Sequence, residues 1–397
     1  MNKQEINEIR KQLSYENCTI DRICGCYVDG EKNIQTTSKD SFLALPEEEG
    51  YKYFDLFKKV LSGTMGKNLI NMEFPLESEA VGGPQEFLLR LRDSKLEDEA
   101  LLQEFYERVI ANYIQVENYY IVLVHATYDV PGKASDGMEL FDASDNVYEY
   151  LLCAICPVKL AKAGLYYNAG TNQIEDRVRD RVVDMPLDGF LFPAFHDRNS
   201  DIHSMLYYAK KPEELQRELI DNVFGTRQPV SAGGQKESFQ MLVMDTLDDE
   251  CDFDTVKEIH ENLYDMIAET KEDPEPLTLA KPEVRKLLER SGVSNEKLAQ
   301  FEDHFAEDVI QQEPLQATNI VNTRQFAVSL PDVSIKVKPE HTGLIRTRQV
   351  DGRMCLVIDV TDQVEINGVP VRVNGTEMAQ ALHEELVPEE VQETIEP

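Results

Sequence analysis

Ile6, Ile9 and Leu13 recur at the spacing that lines one face of a helix, so the chain opens with a short amphipathic helix. From 19 to 28 the period shortens to alternation and stops at Asp29-Gly30, which predicts a strand closed by a two-residue hairpin turn. Phe54, Phe57 and Leu61 return to helical spacing, and 67–74 reads as a strand. Gly82-Gly83-Pro84 opens a helix through Leu91. A second helix follows from 97 to 113, with Leu101, Leu102, Phe105 and Val109 as its apolar stripe. Extended segments are expected at 118–127, 147–158 and 190–195, then a polar loop at 196–204 and a fourth strand at 205–208.

A helix is expected over 212–224, and the Pro- and Gly-bearing stretch 228–234 reads as a linker. The pattern is helical from 235 to 311. It returns to strands from 317 to 373, with hairpins at Asp351-Gly352 and Asn367-Gly368. The expected fold class is therefore α+β. It comprises a mixed-sheet N-terminal domain over 1–227, a helical segment over 228–314, a β-rich C-terminal unit over 315–375 and an acidic tail over 376–397.

The charge changes the picture of partners but not of fold. With 74 acidic and 40 basic residues among 397, the formal net charge is −34, which repels nucleic acid and anionic membrane over most of the surface. Hydrophobic residues make up 42%, enough for packed cores. No apolar run approaches the roughly 20 residues that span a bilayer, and the polar start 1–5 lacks a signal-peptide apolar region. The expected location is the cytoplasm. Seven cysteines, few and odd in number, are expected to be reduced. Cys153 and Cys156 sit three apart in a strand and so point to opposite faces, whereas Cys24 and Cys26 share one. Small buried side chains describe them better than metal ligands do.

Candidate chemistry is sparse. Gly63-Thr64-Met65-Gly66-Lys67-Asn68 has Leu61 where a phosphate loop needs its first Gly and Asn68 where it needs Ser or Thr, so it reads as a turn. The acidic run from Asp245 to Asp254 lacks the Gly and Glu of a calcium loop. His125 reads as a core histidine. The densest polar cluster is 196–203, where His196, Asp201 and His203 could hold a divalent metal or run acid–base chemistry; the competing reading is a solvated hairpin loop. Basic residues are locally ordered. Arg177, Arg179 and Arg181 alternate, as do Lys336 with Lys338 and Arg346 with Arg348, and Arg353 stands beside the Asp351-Gly352 turn. Alternation puts each set on one strand face. The first set is interleaved with Asp176 and Asp180. The stretch 331–375 holds six basic and six acidic residues, so it is neutral in a chain that is otherwise strongly acidic.

Four segments carry a resemblance: Cys18-Thr19-Ile20-Asp21-Arg22-Ile23-Cys24-Gly25-Cys26-Tyr27-Val28-Asp29-Gly30-Glu31-Lys32, Gln85-Glu86-Phe87-Leu88-Leu89-Arg90-Leu91-Arg92-Asp93-Ser94-Lys95, Tyr128-Asp129-Val130-Pro131-Gly132-Lys133 and Ile155-Cys156-Pro157-Val158. Together they resemble an uncharacterised bacterial family, common in anaerobic Firmicutes, known as domain of unknown function 4317. That resemblance implies a bacterial cytoplasmic protein and brings no activity or site residues. The order of elements also resembles the 37-kilodalton nucleoid-associated proteins, which are acidic too. No motif of theirs carries over residue by residue. The expectation is a non-enzymatic nucleoid-associated type of protein without a cofactor. It would act through protein partners, a second copy of the chain among them, and weak non-specific DNA contacts at Lys336, Lys338, Arg346, Arg348 and Arg353, with no membrane association. The alternatives are a metal-dependent enzyme centred on 196–203 and a scaffold with no ligand.

Overall fold

A computed structural model describes residues 1–133, 139–304, 314–360 and 364–371, and its architecture is α+β. Two compact units emerge. The first holds residues 1–251 and 258–323, the second 252–257 and 324–397.

The first unit begins with α1 (Lys3–Lys11). Asn2 caps it: its side chain accepts from the Gln4 and Glu5 backbone N–H groups, while Glu5 reaches back to the Asn2 N–H. Strands β1 (Ile20–Val28) and β2 (Ile34–Ser41) follow, then α2 (Glu47–Val60) and β3 (Leu69–Glu73). Helices α3 (Pro84–Asp93) and α4 (Glu99–Asn112) come next; Asp98 caps α4 by accepting from Ala100 and Leu101, worth about 1 kcal/mol. The long strands β4 (Tyr119–Lys133) and β5 (Glu139–Leu160) lead into β6 (Leu165–Asn168), β7 (Gln173–Asp176), β8 (Arg181–Val183) and β9 (Asp188–Phe192). A short hairpin of β10 (Ala194–His196) and β11 (Asn199–Asp201) precedes β12 (Ser204–Ala209).

The main sheet is antiparallel in the order β2-β1-β4-β5-β9-β12-β3, with β8 added against the end of β5. Its inner strands are buried on both faces, which is why they read as near-continuous apolar runs. Ile121, Leu123, Leu151, Cys153 and Ile155 meet α3 and α4 on one face. Val122, Val124, Leu152, Ala154 and Cys156 meet α1 and α2 on the other. Each fully buried Phe or Leu contributes roughly 1.5–3 kcal/mol, so Phe87 and Phe105 on the first face and Phe54 and Phe57 on the second fix the two layers.

Three local expectations change; one is the stretch 317–320, expected to be extended and found as a short helix in which the Val321 N–H donates to the Ala317 carbonyl. The turn after β1 spans five residues, because Asp29 accepts the backbone N–H groups of Glu31 and Asn33 and Lys32 takes the positive φ of 67°. The helix expected over 212–224 shrinks to α5 (Arg217–Leu219) and a π-helical turn, Ile220–Phe224. The Gln216 side chain is the reason: it accepts from the Ile114 N–H and donates to the Ile114 carbonyl, holding the preceding stretch against the loop after α4.

The rest of this unit is mostly helical: α6 (Ala232–Leu247), α7 (Phe253–Glu269), the short strand β13 (Thr278–Leu279), α8 (Lys281–Arg290), α9 (Asn295–His304), β14 (Leu315–Gln316) and α10 (Ala317–Ile320). The first turn of α7 falls in the second unit. Among its described residues that unit holds three antiparallel hairpins: β15 (Phe326–Leu330) with β16 (Val333–Val337), β17 (Ile345–Val350) with β18 (Arg353–Ile358), and β19 (Val364–Ile366) with β20 (Val369–Val371). Both turn signals hold. Asp351 and Gly352 have φ of 49° and 76°, and Asn367 and Gly368 have 50° and 81°, the double positive φ that Asx-Gly supplies. The expected tail 376–397 lies outside the described residues.

Candidate functional site

Most of the segment 196–203 belongs to a tight hairpin over 194–201. Asp197 and Arg198 take positive φ (46° and 60°) between β10 and β11, so the polar residues first supply turn geometry. His196 leaves this turn toward a cleft of about 300 Å³ in the first unit, where Asn2, Gly66, Asn71, Gln235 and Gln316 also stand. Glu5 lies beside it. His196 Nδ1 is 4.0 Å from Glu5 Oε2, and His196 Nε2 is 3.7 Å from Asp197 Oδ2. Among the described residues this is the one trio of His, Cys, Asp or Glu whose donor atoms approach closely enough to share a cation. Both Glu5 oxygens are already engaged, Oε2 by the Asn2 N–H at 2.7 Å and Oε1 by the Asp197 N–H at 2.8 Å. Glu5 therefore staples the hairpin to the start of α1 before it could bind anything.

His196, Asp201 and His203 are not brought together as a donor set. The His203 ring meets Glu79 Oε1 at 2.7 Å, and that hydrogen bond raises the pKa of the imidazole. Asp201 is spent on its own turn: Oδ1 accepts the His203 N–H at 3.1 Å and Oδ2 accepts the Ser204 hydroxyl. The separation follows from the hairpin: pairing Ala194 with Asp201 and His196 with Asn199 leaves His203 outside the turn.

The 63–68 segment is the turn from α2 into β3, with Gly66 at φ 70° and its N–H donating to the Leu69 carbonyl. Its chemistry is steric: a Cβ on Gly66 would stand 2.5 Å from the Gln316 side chain, which covers it. Gln235 joins the same wall, its Oε1 accepting from the Gln316 N–H and the Asn319 amide. His125 is buried, with Nδ1 against Asp21 at 3.0 Å. Nε2 has no hydrogen bond among the described residues, so this core histidine is only half satisfied. Burial lowers its pKa.

Three basic residues of the second unit share a strand face. In the β17–β18 register, Arg346 faces Val357, Arg348 faces Cys355 and Val350 faces Arg353, so Arg346, Arg348 and Arg353 share one face. All three are exposed. Arg346 is paired with Asp359, whereas Arg348 and Arg353 form no ion pair among the described residues. Lys336 stands exposed on β16 opposite Ala327, and Lys338 is exposed just beyond that strand, before the 3₁₀ turn Pro339–Leu344.

The family model described as domain of unknown function (DUF4317) matches residues 1–369. The chain belongs to this family. No curated protein and no solved structure matches it. In this DUF4317 chain, sequence reasoning missed Glu5 as a neighbour of His196 and Asp197. Glu5 reaches the hairpin across 192 positions of chain, a distance no motif spans. The capping spacing of Asn2 and Glu5 was a readable signal for the helix start, but not for what lies beside it.

Proposed function

We propose that this DUF4317 protein is a non-enzymatic binding protein of the bacterial cytoplasm, of the nucleoid-associated type, acting through protein partners and weak, non-specific contacts to DNA phosphates. The observation that carries the reading is the shared exposed face of Arg346, Arg348 and Arg353 on β17–β18. Two of these guanidiniums have no ion-pair partner among the described residues, and a planar fork of donors is suited to phosphate oxygens. Lys336 and Lys338 add two exposed cations on the neighbouring stretch of sequence. The local balance of six basic and six acidic residues over 331–375 lets a polyanion meet less repulsion here than over most of this acidic chain. The splitting of His196, Asp201 and His203 among different partners weakens the metal-dependent alternative.

A gel shift of the full chain on duplex DNA at low salt tests this. Binding is expected in the non-specific range, on the order of 10⁻⁴ to 10⁻⁶ M. Replacing Lys336, Lys338, Arg346, Arg348 and Arg353 with Ala should abolish the shift with little change in Tm, because all five are exposed. If the unaltered chain gives no shift even at low salt, the DNA reading fails and a scaffold without ligand takes its place.

A further inference from the structure

Beyond the end of β5, the chain runs out into a two-stranded ribbon. β8 returns against β5 by pairing Val158 with Val183 and Leu160 with Arg181, and β6 pairs with β7 from Leu165–Asp176 to Asn168–Gln173. The Ala161 N–H donates to the Asp180 carbonyl and the Arg177 N–H to the Gly164 carbonyl, so these two hydrogen bonds link the two hairpin pieces across the irregular stretches 161–164 and 177–180. From 162 to 183 every residue is exposed except Asn168 and Glu175, which shelter each other through a 2.9 Å hydrogen bond. A lone two-stranded ribbon is marginal in water, since it has no layer on which to bury a face. This one carries such a face. Leu165, Tyr167 and Ile174 lie on one side of the register and are 74%, 57% and 62% exposed. An unpacked apolar and aromatic face of this kind marks an interaction surface.

The charges along the ribbon select the partner. Asp176, Arg177, Arg179, Asp180 and Arg181 place both signs along the returning stretch, with Lys162 on the outgoing one. Arg179 Nε donates to the Ala161 carbonyl at 3.0 Å, and none of the three arginines forms an ion pair among the described residues. A phosphate backbone laid here would meet Glu175, Asp176 and Asp180 beside the arginines. A second ribbon of the same sequence brings both signs. In a two-fold contact the same patch faces itself, so it must be self-complementary: apolar against apolar, with each cation able to find the other copy's carboxylate. We propose that residues 161–183 form a docking arm for a second copy of this chain, joined ribbon to ribbon around a two-fold axis through Leu165, Tyr167 and Ile174.

So small a patch belongs to the weak class of interfaces, so the dimer forms with an affinity on the order of micromolar to millimolar and depends on concentration. Sedimentation velocity of the full chain over a rising concentration series is the test, with two variants alongside. In one, Leu165, Tyr167 and Ile174 are each replaced by Ser; in the other, Arg177→Glu, Arg179→Glu and Arg181→Glu are combined. The unaltered chain should pass from monomer to dimer. The apolar variant should stay monomeric throughout, and the charge variant should dimerise at least tenfold more weakly. Were the apolar variant to lose its fold, as an altered circular dichroism spectrum would show, the charge variant decides alone. A monomeric unaltered chain at every concentration, or variants that dimerise as it does, overturns the proposal. So does an unaltered chain that stays monomeric but whose DNA shift disappears in the ribbon variants, because the arm is then a nucleic-acid contact.

Discussion

At Asp188 a carboxyl group is held wholly inside the protein. It lies on β9, with Oδ2 accepting the Tyr113 hydroxyl at 2.7 Å and Oδ1 accepting the Tyr207 hydroxyl at 2.6 Å. Burial pushes its pKa up to about 6, against the pull of the two phenols. The sign of the consequence is fixed by linkage. The folded protein takes up a proton near pH 6 that the unfolded chain binds only near pH 4, so this contribution to stability is complete below about pH 4 and is lost as pH rises through about 6. A gap of about 2 units corresponds to roughly 3 kcal/mol. Asp188→Asn removes the buried charge and keeps an acceptor for one phenol. Thermal melts from pH 5 to 7.5 should show the variant losing less stability than the unaltered protein on going to neutral pH. Parallel curves for the two proteins would mean that Asp188 is not the group responsible.

At the scale of the element, the strand faces were legible and the long-range contacts were not. Period-two alternation alone places Cys153 and Cys156 on opposite faces of β5 and Cys24 with Cys26 on one face of β1, and the two cores divide them in that way. The Asx-Gly hairpins at 351–352 and 367–368 were equally readable, because their double positive φ has a residue-level cause. The same signal at Asp29-Gly30 misjudged the loop length, since the Asp29 carboxylate reaches on to Asn33 and Gln35 and holds a wider turn. The shortened helix before Phe224 and the Glu5–Asp197 contact depend on partners about 100 and 192 positions away, and periodicity carries no information at that separation. The cysteine arrangement has a measurable consequence. Burial pushes the Cys24 thiol up to about 11 and Cys26 to about 12, and holds Cys153 and Cys156 in the thiol form as well. Alkylation of the native protein near pH 8, read by mass, should therefore mark exposed Cys251 early and these four only after unfolding. Prompt labelling of Cys153 would show that the sheet opens far more readily than its packing implies.

For the whole molecule the dominant quantity is a net charge of −34, and salt is the variable that separates its effects. At 0.01 M ionic strength the screening length is about 30 Å, so carboxylates repel one another across a whole domain; at 0.15 M it is about 8 Å. Folding concentrates this charge, and so does bringing two copies together. Raising salt from 0.01 to 0.15 M should therefore raise Tm and should strengthen, or at least preserve, the dimer, since the general repulsion fades while the ribbon's apolar face is unaffected. DNA binding has the opposite dependence. Its affinity rests on cations displacing counterions from the phosphates, and each contact adds a slope of about −0.9 in log affinity against log salt. With five candidate cations the shift should fade steeply over that range while the dimer persists. Melting curves, sedimentation and gel shifts on the same salt series provide the comparison. A dimer that dissolves in step with the DNA shift would mean that both contacts are carried by exposed charge alone, and the apolar face of the ribbon would then have no part in assembly.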